Sequence, residues 1–387
     1  MKYFVYAFLF FLNSVNMAQT RRDWLRSSLG MGGLLMAPST LLTSFEKERF
    51  NPRDLDPIVR LSSNENPYGP SKVVQKAILK AFDHACRYPY EYSDQLAVKL
   101  AKKHGVDPES IIITGGSTEG LKLTGLTFAH NGGEIISAAP TFLAMMDFAK
   151  QWGATVNWVD VDESKGYNLD EIENRIGINT KLIFLCNPNN PTGTVVEKNR
   201  LLDFCETASQ KAIVFSDEAY YDFIEDPDYP SMDFLVRKGE NVIVSKTFSK
   251  VYGLAGTRIG YLIAKPSIAA EIRKNLVAMS NVLAIAAAEA ALEDQEFYHF
   301  SLKKTKESKM RIYDLLNYLG LAYVPSSTNF VFFESKRDIR ELGPELLELG
   351  VRVGRPFPPF YDWCRISTGT DEEIDRFVNA MLKSYKA

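Results

Sequence analysis

The chain has 387 residues, 45% of them hydrophobic and 24% charged, with a formal net charge of −3. That is the profile of an ordinary globular protein long enough for two domains, and the absence of long basic runs excludes nucleic acid as the main partner. Cys86, Cys186, Cys205 and Cys364 are scattered, with no CxxC or Cys/His spacing, so neither a metal site nor a disulfide framework is indicated.

Residues 3–12, YFVYAFLFFL, are continuously apolar but too short to span a bilayer as a helix. Arg21-Arg22, Trp24-Leu25, Arg26 and a modestly apolar Gly-rich run follow. This stretch resembles a twin-arginine export signal, a receptor-read address rather than an anchor. Residues 1–44 are therefore expected to be a targeting segment, read by the twin-arginine machinery and implying an exported, periplasmic location. A plain basic tail on a cytoplasmic protein is the alternative. The start is Met1 or Met17, and no small-x-small cleavage site is visible.

From about residue 110, β-branched and aromatic runs alternate with amphipathic stretches. The predicted strands are SIIITG (110–115), GEIISAAP (133–140), TVNWVDV (155–161), KLIFLCN (181–187), KAIVFSD (211–217), NVIVSK (241–246) and RIGYLIA (258–264). Several are apolar almost throughout, as strands buried on both faces of a parallel sheet must be. Helical patterning lies between them, as in EKNRLLDFCETASQ (197–210), so an α/β domain with a mostly parallel sheet flanked by helices is predicted. Beyond 266 the chain turns helical, through the Ala-rich run 281–294, and then carries STNFVFFES and GVRVG as strands of a smaller α+β domain. The expected division is an arm and part of the small domain over 45–84, a large domain over 85–285 and the rest of the small domain over 286–387.

In an open α/β sheet the ligand lies at the carboxyl ends of the strands, so the loops there are read first. After SIIIT comes GGSTEG, where Ser117 and Thr118 open a helix whose N–H groups suit an anion. After KLIFLC comes NPNNPTG (187–193), which an Asx-turn alone would explain. After KAIVFS comes Asp217, an acid at a buried strand end that needs a cationic partner or a helix cap. After NVIVS comes KTFSK, ending in Lys250, with GLAGTR and Arg258 beyond. A phosphate cradle, an acid, an asparagine and a lysine beside hydroxyls together form the set that pyridoxal phosphate requires. Lys246, in the same run, is expected to point away from Lys250 into solvent.

NPNNPTG, DEAYYDF and SKTFSK with Arg258 resemble the signature of class I/II, fold-type-I pyridoxal-phosphate aminotransferases, from about residue 60 to the C-terminus. LSSNENPYGPS (61–71), RYPY (87–90), GGSTEG, PSSTNFVFF (325–333) and RISTGT (365–370) are similar to the histidinol-phosphate aminotransferases within that class. The resemblance implies that Lys250 bonds the cofactor aldehyde and shuttles the substrate proton, and that Asp217 pairs with the pyridine nitrogen. It implies that Asn190 and Tyr220 hydrogen-bond the ring hydroxyl oxygen and that Phe142 stacks on the ring. Ser117, Thr118, Thr247, Ser249 and Arg258 would hold the phosphate, and Arg365 the substrate carboxylate. Tyr88 would reach the neighbouring subunit's cofactor phosphate in a homodimer, and Tyr68 would line the substrate entrance. No metal is implied.

One stretch departs from the family. Where the resemblance expects an arginine for a substrate phosphate, the chain has Gly354, flanked by Arg352 and Arg355. Period-2 alternation puts Arg352 on the face of Gly354 and Arg355 on the other, unless the Pro-rich loop redirects it. Phe357, Phe360, Tyr361 and Trp363 would suit an aromatic donor or simply pack the loop. The expectation is a transaminase acting on histidinol phosphate or an aromatic amino acid with a 2-oxo acid, 2-oxoglutarate foremost. A lyase or decarboxylase of the same fold, or a non-catalytic binding protein, is the alternative.

Overall fold

A computed structural model describes residues 58–386, and the structural statements below concern those residues. The expected targeting segment, with Arg21, Arg22 and both candidate starts, lies outside them.

The first strand is short: β1 (Val59–Arg60). The seven predicted strands follow as β2 (Ile111–Thr114), β3 (Glu134–Ala139), β4 (Thr155–Asp160), β5 (Thr180–Cys186), β6 (Ile213–Asp217), β7 (Val242–Thr247) and β8 (Gly260–Ala264). They form one sheet in the order β2-β8-β7-β6-β5-β3-β4. Ile183, Phe184, Phe215, Ile243 and Val244 have no exposed surface, so the centre of the sheet is covered on both faces. The helix Lys198–Ala208 shows how the covering works. Glu197 accepts from the N–H groups of Asn199 and Arg200, and Leu201, Phe204, Cys205 and Ala208 line the buried stripe.

The pairings β3–β4, β3–β5, β5–β6 and β6–β7 are parallel, whereas β8 is antiparallel to both neighbours, β2 and β7. Every strand but β8 therefore points the same way. This reversal has a consequence for the site. Residues following β2, β3, β5, β6 and β7 gather at one edge, and so does the residue entering β8, Arg258.

The smaller layer holds β9 (Tyr323–Val324), β10 (Phe330–Glu334), β11 (Val351–Arg352) and β12 (Trp363–Ser367). An antiparallel sheet runs β12-β10-β9, and β1 pairs in parallel with β11. Its core collects Val59, Leu61, Ile312, Leu316, Phe333 and Phe377. The helix Asp371–Ser384 that closes it starts with a reciprocal cap between Thr370 and Glu373.

The expected boundaries shift at two places. Val74, on the helix Lys72–Ala81, belongs to the larger core, so the chain crosses from the smaller layer between Leu61 and Val74 rather than at 84. The helix Val282–Glu293 carries Ala284, Ala287, Ala288 and Ala291 into the larger core, past the expected end at 285. Its small side chains let the 72–81 helix pack closely, a tertiary contact with no local signal. Among the described residues, no helix is long and apolar enough to cross a membrane.

Candidate active site

The gathered loops enclose a cavity of about 690 Å³ at the carboxyl edge of the sheet. Asp217, the last residue of β6, is 2% exposed there, and its Oδ1 has no hydrogen-bond partner among the described residues. Burial raises its carboxyl to about 7, against the pull of Lys250 and a backbone N–H. Lys250 borders the same cavity, where its Nζ donates to the carbonyl of Asn64 at 3.0 Å and approaches that of Ser63 at 3.5 Å. Desolvation, reinforced by Arg365 and Arg258 and opposed by Glu65 and Asp217, lowers its ammonium to about 8. An acid pushed up and a lysine pushed down, in one cleft, mark a site prepared for chemistry.

At one end of the cavity Ser117, Thr118, Ser249 and Arg258 come together. Gly116 caps the helix Ser117–Ala129 with φ +84, and a Cβ there would collide with the Arg258 guanidinium. Glycine is needed both for the turn and for the close approach of the cation. A helix N-terminus, hydroxyls and a guanidinium make a phosphate cradle. Thr247 does not line the cavity. Its hydroxyl donates to Ser249 Oγ at 3.0 Å and accepts from the Ser249 N–H at 3.1 Å, so it shapes the turn behind Ser249. Phe142, half-buried after β3, forms part of the wall.

Arg365, in β12, also lines the cavity and is 7% exposed. Its Nη1 donates to Asn190 Oδ1 at 2.6 Å and its Nη2 to the Ser62 carbonyl at 2.5 Å, while Nε is buried with no partner among the described residues. Burial lowers the guanidinium to about 10, and a carboxylate on the free edge would restore it. Asn190 Nδ2 donates onward to Tyr220 Oη at 3.3 Å. Burial raises the Tyr220 phenol, which stays neutral.

Arg352 and Arg355 both line the cavity, so alternation does not carry through and the Pro-rich loop redirects Arg355. The strand β11 ends at Arg352, and the following Pro-rich loop brings Arg355 round, its guanidinium 4.4 Å from the Phe357 ring centroid. Gly354 lies between them because β12 comes so near. Its N–H donates to the Arg365 carbonyl at 2.8 Å, and a Cβ would sit 2.7 Å from that oxygen. An arginine side chain has no room at 354.

Of the four aromatic residues in this loop, only Phe357 reaches the cavity. Trp363 stacks on Phe332 at 5.0 Å, Phe360 packs edge-on to Phe332, and Tyr361 lies beneath Arg340. These three are loop packing. Tyr68 is not in the cavity wall either; it packs edge-on against Phe300 at 5.2 Å. Tyr88 is 80% exposed and outside the cavity of its own chain.

Lys246 is not solvated. Its Nζ lies 2.6 Å from Glu218 Oε2, with side-chain exposures of 12% and 2%, and 3.8 Å from the Tyr221 ring centroid. Glu218 also accepts from Ser231 Oγ and the Met232 N–H. The pair anchors the turn after β6 on the side facing away from the cavity. The cavity also includes Ser62, Ser63, Asn64, Glu65, Thr141 and Cys186, none assigned from sequence. Ser62 to Glu65 belong to the SSNEN motif just before Tyr68, the sequence signal for this part of the wall.

These residues fit pyridoxal phosphate. The orphaned Asp217 oxygen suits a protonated ring nitrogen, and the cradle beside Arg258 suits a phosphate. Residues 56–381 match the family described as aminotransferase class I and II. Histidinol-phosphate aminotransferase of Bacillus licheniformis is 37% identical over 340 residues, covering 87% of this chain and 92% of that one. The enzyme of the same name from Moorella thermoacetica is 38% identical, covering 84% of each. The crystal structure of histidinol-phosphate aminotransferase from Sinorhizobium meliloti, in complex with pyridoxal-5'-phosphate, superposes with a TM-score of 0.80 at 29% identity, over 85% of this chain and 91% of that one. The chain belongs to the class I and II aminotransferases. It is a pyridoxal-phosphate-dependent transaminase of fold type I.

Two outcomes follow from the charges. Lys246→Met leaves Glu218 buried and unpaired, so urea unfolding should show a loss of about 3–5 kcal/mol. A loss below about 1 kcal/mol would mean that the pair is solvated after all. In the cofactor-free protein, the folded Asp217 pKa lies above its unfolded value. Its contribution is therefore fully present below about pH 4 and lost as pH rises through about 7. The Tm of cofactor-free Asp217→Asn should exceed that of wild type at pH 8, with the gap closing towards pH 4; a gap independent of pH would contradict the assignment.

Proposed function

We propose that this transaminase takes its amino group from a donor with an anionic arm, histidinol phosphate foremost, and passes it to a 2-oxo acid such as 2-oxoglutarate. The observation that carries this reading is the placement of Arg352 and Arg355 on the cavity wall that also holds Arg365. Histidinol phosphate carries a phosphate ester arm where an amino acid carries its carboxylate. Arg365, with its unpartnered Nε, holds the acceptor's carboxylate. Arg352 and Arg355 meet the donor's bulkier dianion further out. The names of the relatives at 37% and 38% identity support the same donor.

When bound, pyridoxal phosphate supplies an electron sink for the pair released as the substrate Cα–H bond breaks. Ser117, Thr118, Ser249 and Arg258 would hold its phosphate, with Thr247 bracing Ser249. Phe142 would pack against the ring. Asp217 would keep a proton on the ring nitrogen, satisfying its own orphaned oxygen. Asn190 and Tyr220 would hydrogen-bond the ring hydroxyl oxygen. Lys250 would bond the cofactor in the resting enzyme. Once free, its Nζ would take the proton from the substrate Cα and deliver it to the cofactor's aldehyde carbon, on the other side of the substrate nitrogen. With its ammonium lowered to about 8, the neutral amine is accessible as a base near neutral pH. Glu218 and Lys246, facing away, fix the turn that carries Tyr220.

We further infer a homodimer in which Tyr88 reaches the partner's cofactor phosphate. Its 80% exposure, beside exposed Phe82 and Tyr90, supports this, and a monomer by sedimentation would refute it. Export through the twin-arginine route rests on Arg21-Arg22 and the run that follows. A reporter fused to residues 1–44 should leave the cytoplasm, and should stay there once both arginines are replaced by lysine.

The substrate reading is tested by a half-reaction screen of histidinol phosphate, phenylalanine, tyrosine and aspartate without acceptor. Histidinol phosphate should react with the highest kcat/KM. Arg352→Ala or Arg355→Ala should lower that value about tenfold or more while changing the phenylalanine value by less than about threefold. An aromatic amino acid as best donor, indifferent to both changes, would overturn the substrate assignment. Carbon dioxide release would overturn the reaction type.

A further inference from the structure

Asn64 lies where the larger and smaller layers meet, 2% exposed and with a left-handed φ of +54. Each of its polar groups is engaged. Its N–H donates to Ser367 Oγ at 2.8 Å, and that hydroxyl donates to Asn64 Oδ1 at 2.9 Å. Its carbonyl accepts from Lys250 Nζ at 3.0 Å and from Asn329 Nδ2 at 3.0 Å. Its Nδ2 donates to Tyr220 Oη at 2.9 Å. Ser367 and Asn329 belong to the smaller layer, Tyr220 and Lys250 to the larger.

The orientation of both amides around Tyr220 is fixed by their other partners. Asn64 Oδ1 accepts from Ser367 Oγ, whose single hydrogen has no other acceptor among the described residues. Asn190 Oδ1 accepts from Arg365, a donor only. The two Nδ2 groups therefore both donate into the Tyr220 oxygen, at 2.9 and 3.3 Å. The hydroxyl hydrogen of Tyr220 has no acceptor among the described residues and is left for something in the cavity. A donor pointed into a phenol oxygen makes its O–H the stronger donor in turn.

We propose that Asn64 is a positioning residue of the transamination site: its side chain aims and strengthens the Tyr220 O–H while its carbonyl holds Lys250 Nζ beside it. The proposal rests on the reading that Tyr220 serves the cofactor's ring hydroxyl oxygen. It adds that a residue on the chain's entry into the fold, clamped by Ser367 two positions from Arg365, sets the strength of that bond. The charged groups facing Lys250 are Arg365, Glu65, Asp217 and Arg258, and none is altered by a change at Asn64.

Asn64→Gly is the test, because glycine accepts the positive φ and keeps every backbone bond while removing only the side chain. The visible absorption band of the loaded protein is titrated against pH in wild type, Asn64→Gly, Tyr220→Phe and the double variant. Weakening the Tyr220 bond removes stabilisation from the deprotonated side of that titration. The Asn64→Gly midpoint should rise by about 0.5–1 pH unit, with kcat lowered and the acceptor KM little changed. In the Tyr220→Phe background the same change should produce no further shift. An unchanged or lowered midpoint, or an equal rise without the Tyr220 hydroxyl, would overturn the proposal. If Asn64→Gly fails to load cofactor, Ser367→Ala, which frees Asn64 Oδ1, is titrated instead and should raise the midpoint in the same direction. A wild-type protein without the band would refute the cofactor's placement rather than the role of Asn64.

Discussion

A buried carboxylate and a desolvated lysine face one cavity, each held towards its neutral form by loss of water: Asp217 at about 7, Lys250 at about 8. Neither is fully compensated among the described residues, where Asp217 Oδ1 lacks a partner and Lys250 has only carbonyl acceptors. Such groups are costly unless a ligand completes them. Pyridoxal phosphate does so at both places, with a ring nitrogen for the acid and an aldehyde for the amine. The remaining features serve to keep these two residues at that spacing.

The sheet achieves the spacing by topology. Because β6 and β7 are parallel neighbours, the ends of both strands lie at the same edge, and the reversed β8 returns Arg258 to it. The Glu218–Lys246 ion pair locks the turn after β6 from behind, and Asn64 locks Tyr220 and Lys250 from the front. The orientation of the reactive groups thus depends on bonds on both sides of the edge. Arg352, Arg355 and Arg365 all reach the cavity from the smaller layer, where Gly354 permits the contact with Arg365 and the loop beyond it supplies Arg355.

Strand positions were legible because a strand buried on both faces is apolar throughout, whatever its direction. That same uniformity concealed the reversal of β8. Asp217, Lys250 and Arg258 could be picked out because each sits just after or before an apolar run, whereas Asn190 and Arg365 were legible only through the family resemblance. Lys246 could not, since its burial depends on Glu218, a residue of another strand's turn. Asn64 was less legible still: its partners Tyr220 and Ser367 lie 156 and 303 residues away. Arg355 reaches the cavity because alternation stops where pairing stops, at Arg352, and the Pro-rich loop redirects it. The aromatic loop misled for a different reason, as composition cannot distinguish a ring that packs on Phe332 from one that faces a cavity.

The central claim is that Lys250 is the residue that bonds the cofactor, at the position Asp217 prepares. It is tested most directly by the absorbance of the purified protein reconstituted with pyridoxal phosphate. Wild type should carry a band near the visible edge that borohydride removes, leaving the cofactor covalently attached in a single peptide containing Lys250. Lys250→Ala should bind the cofactor without that band and without borohydride attachment. A colourless wild type, or attachment at Lys246 instead, would contradict the account.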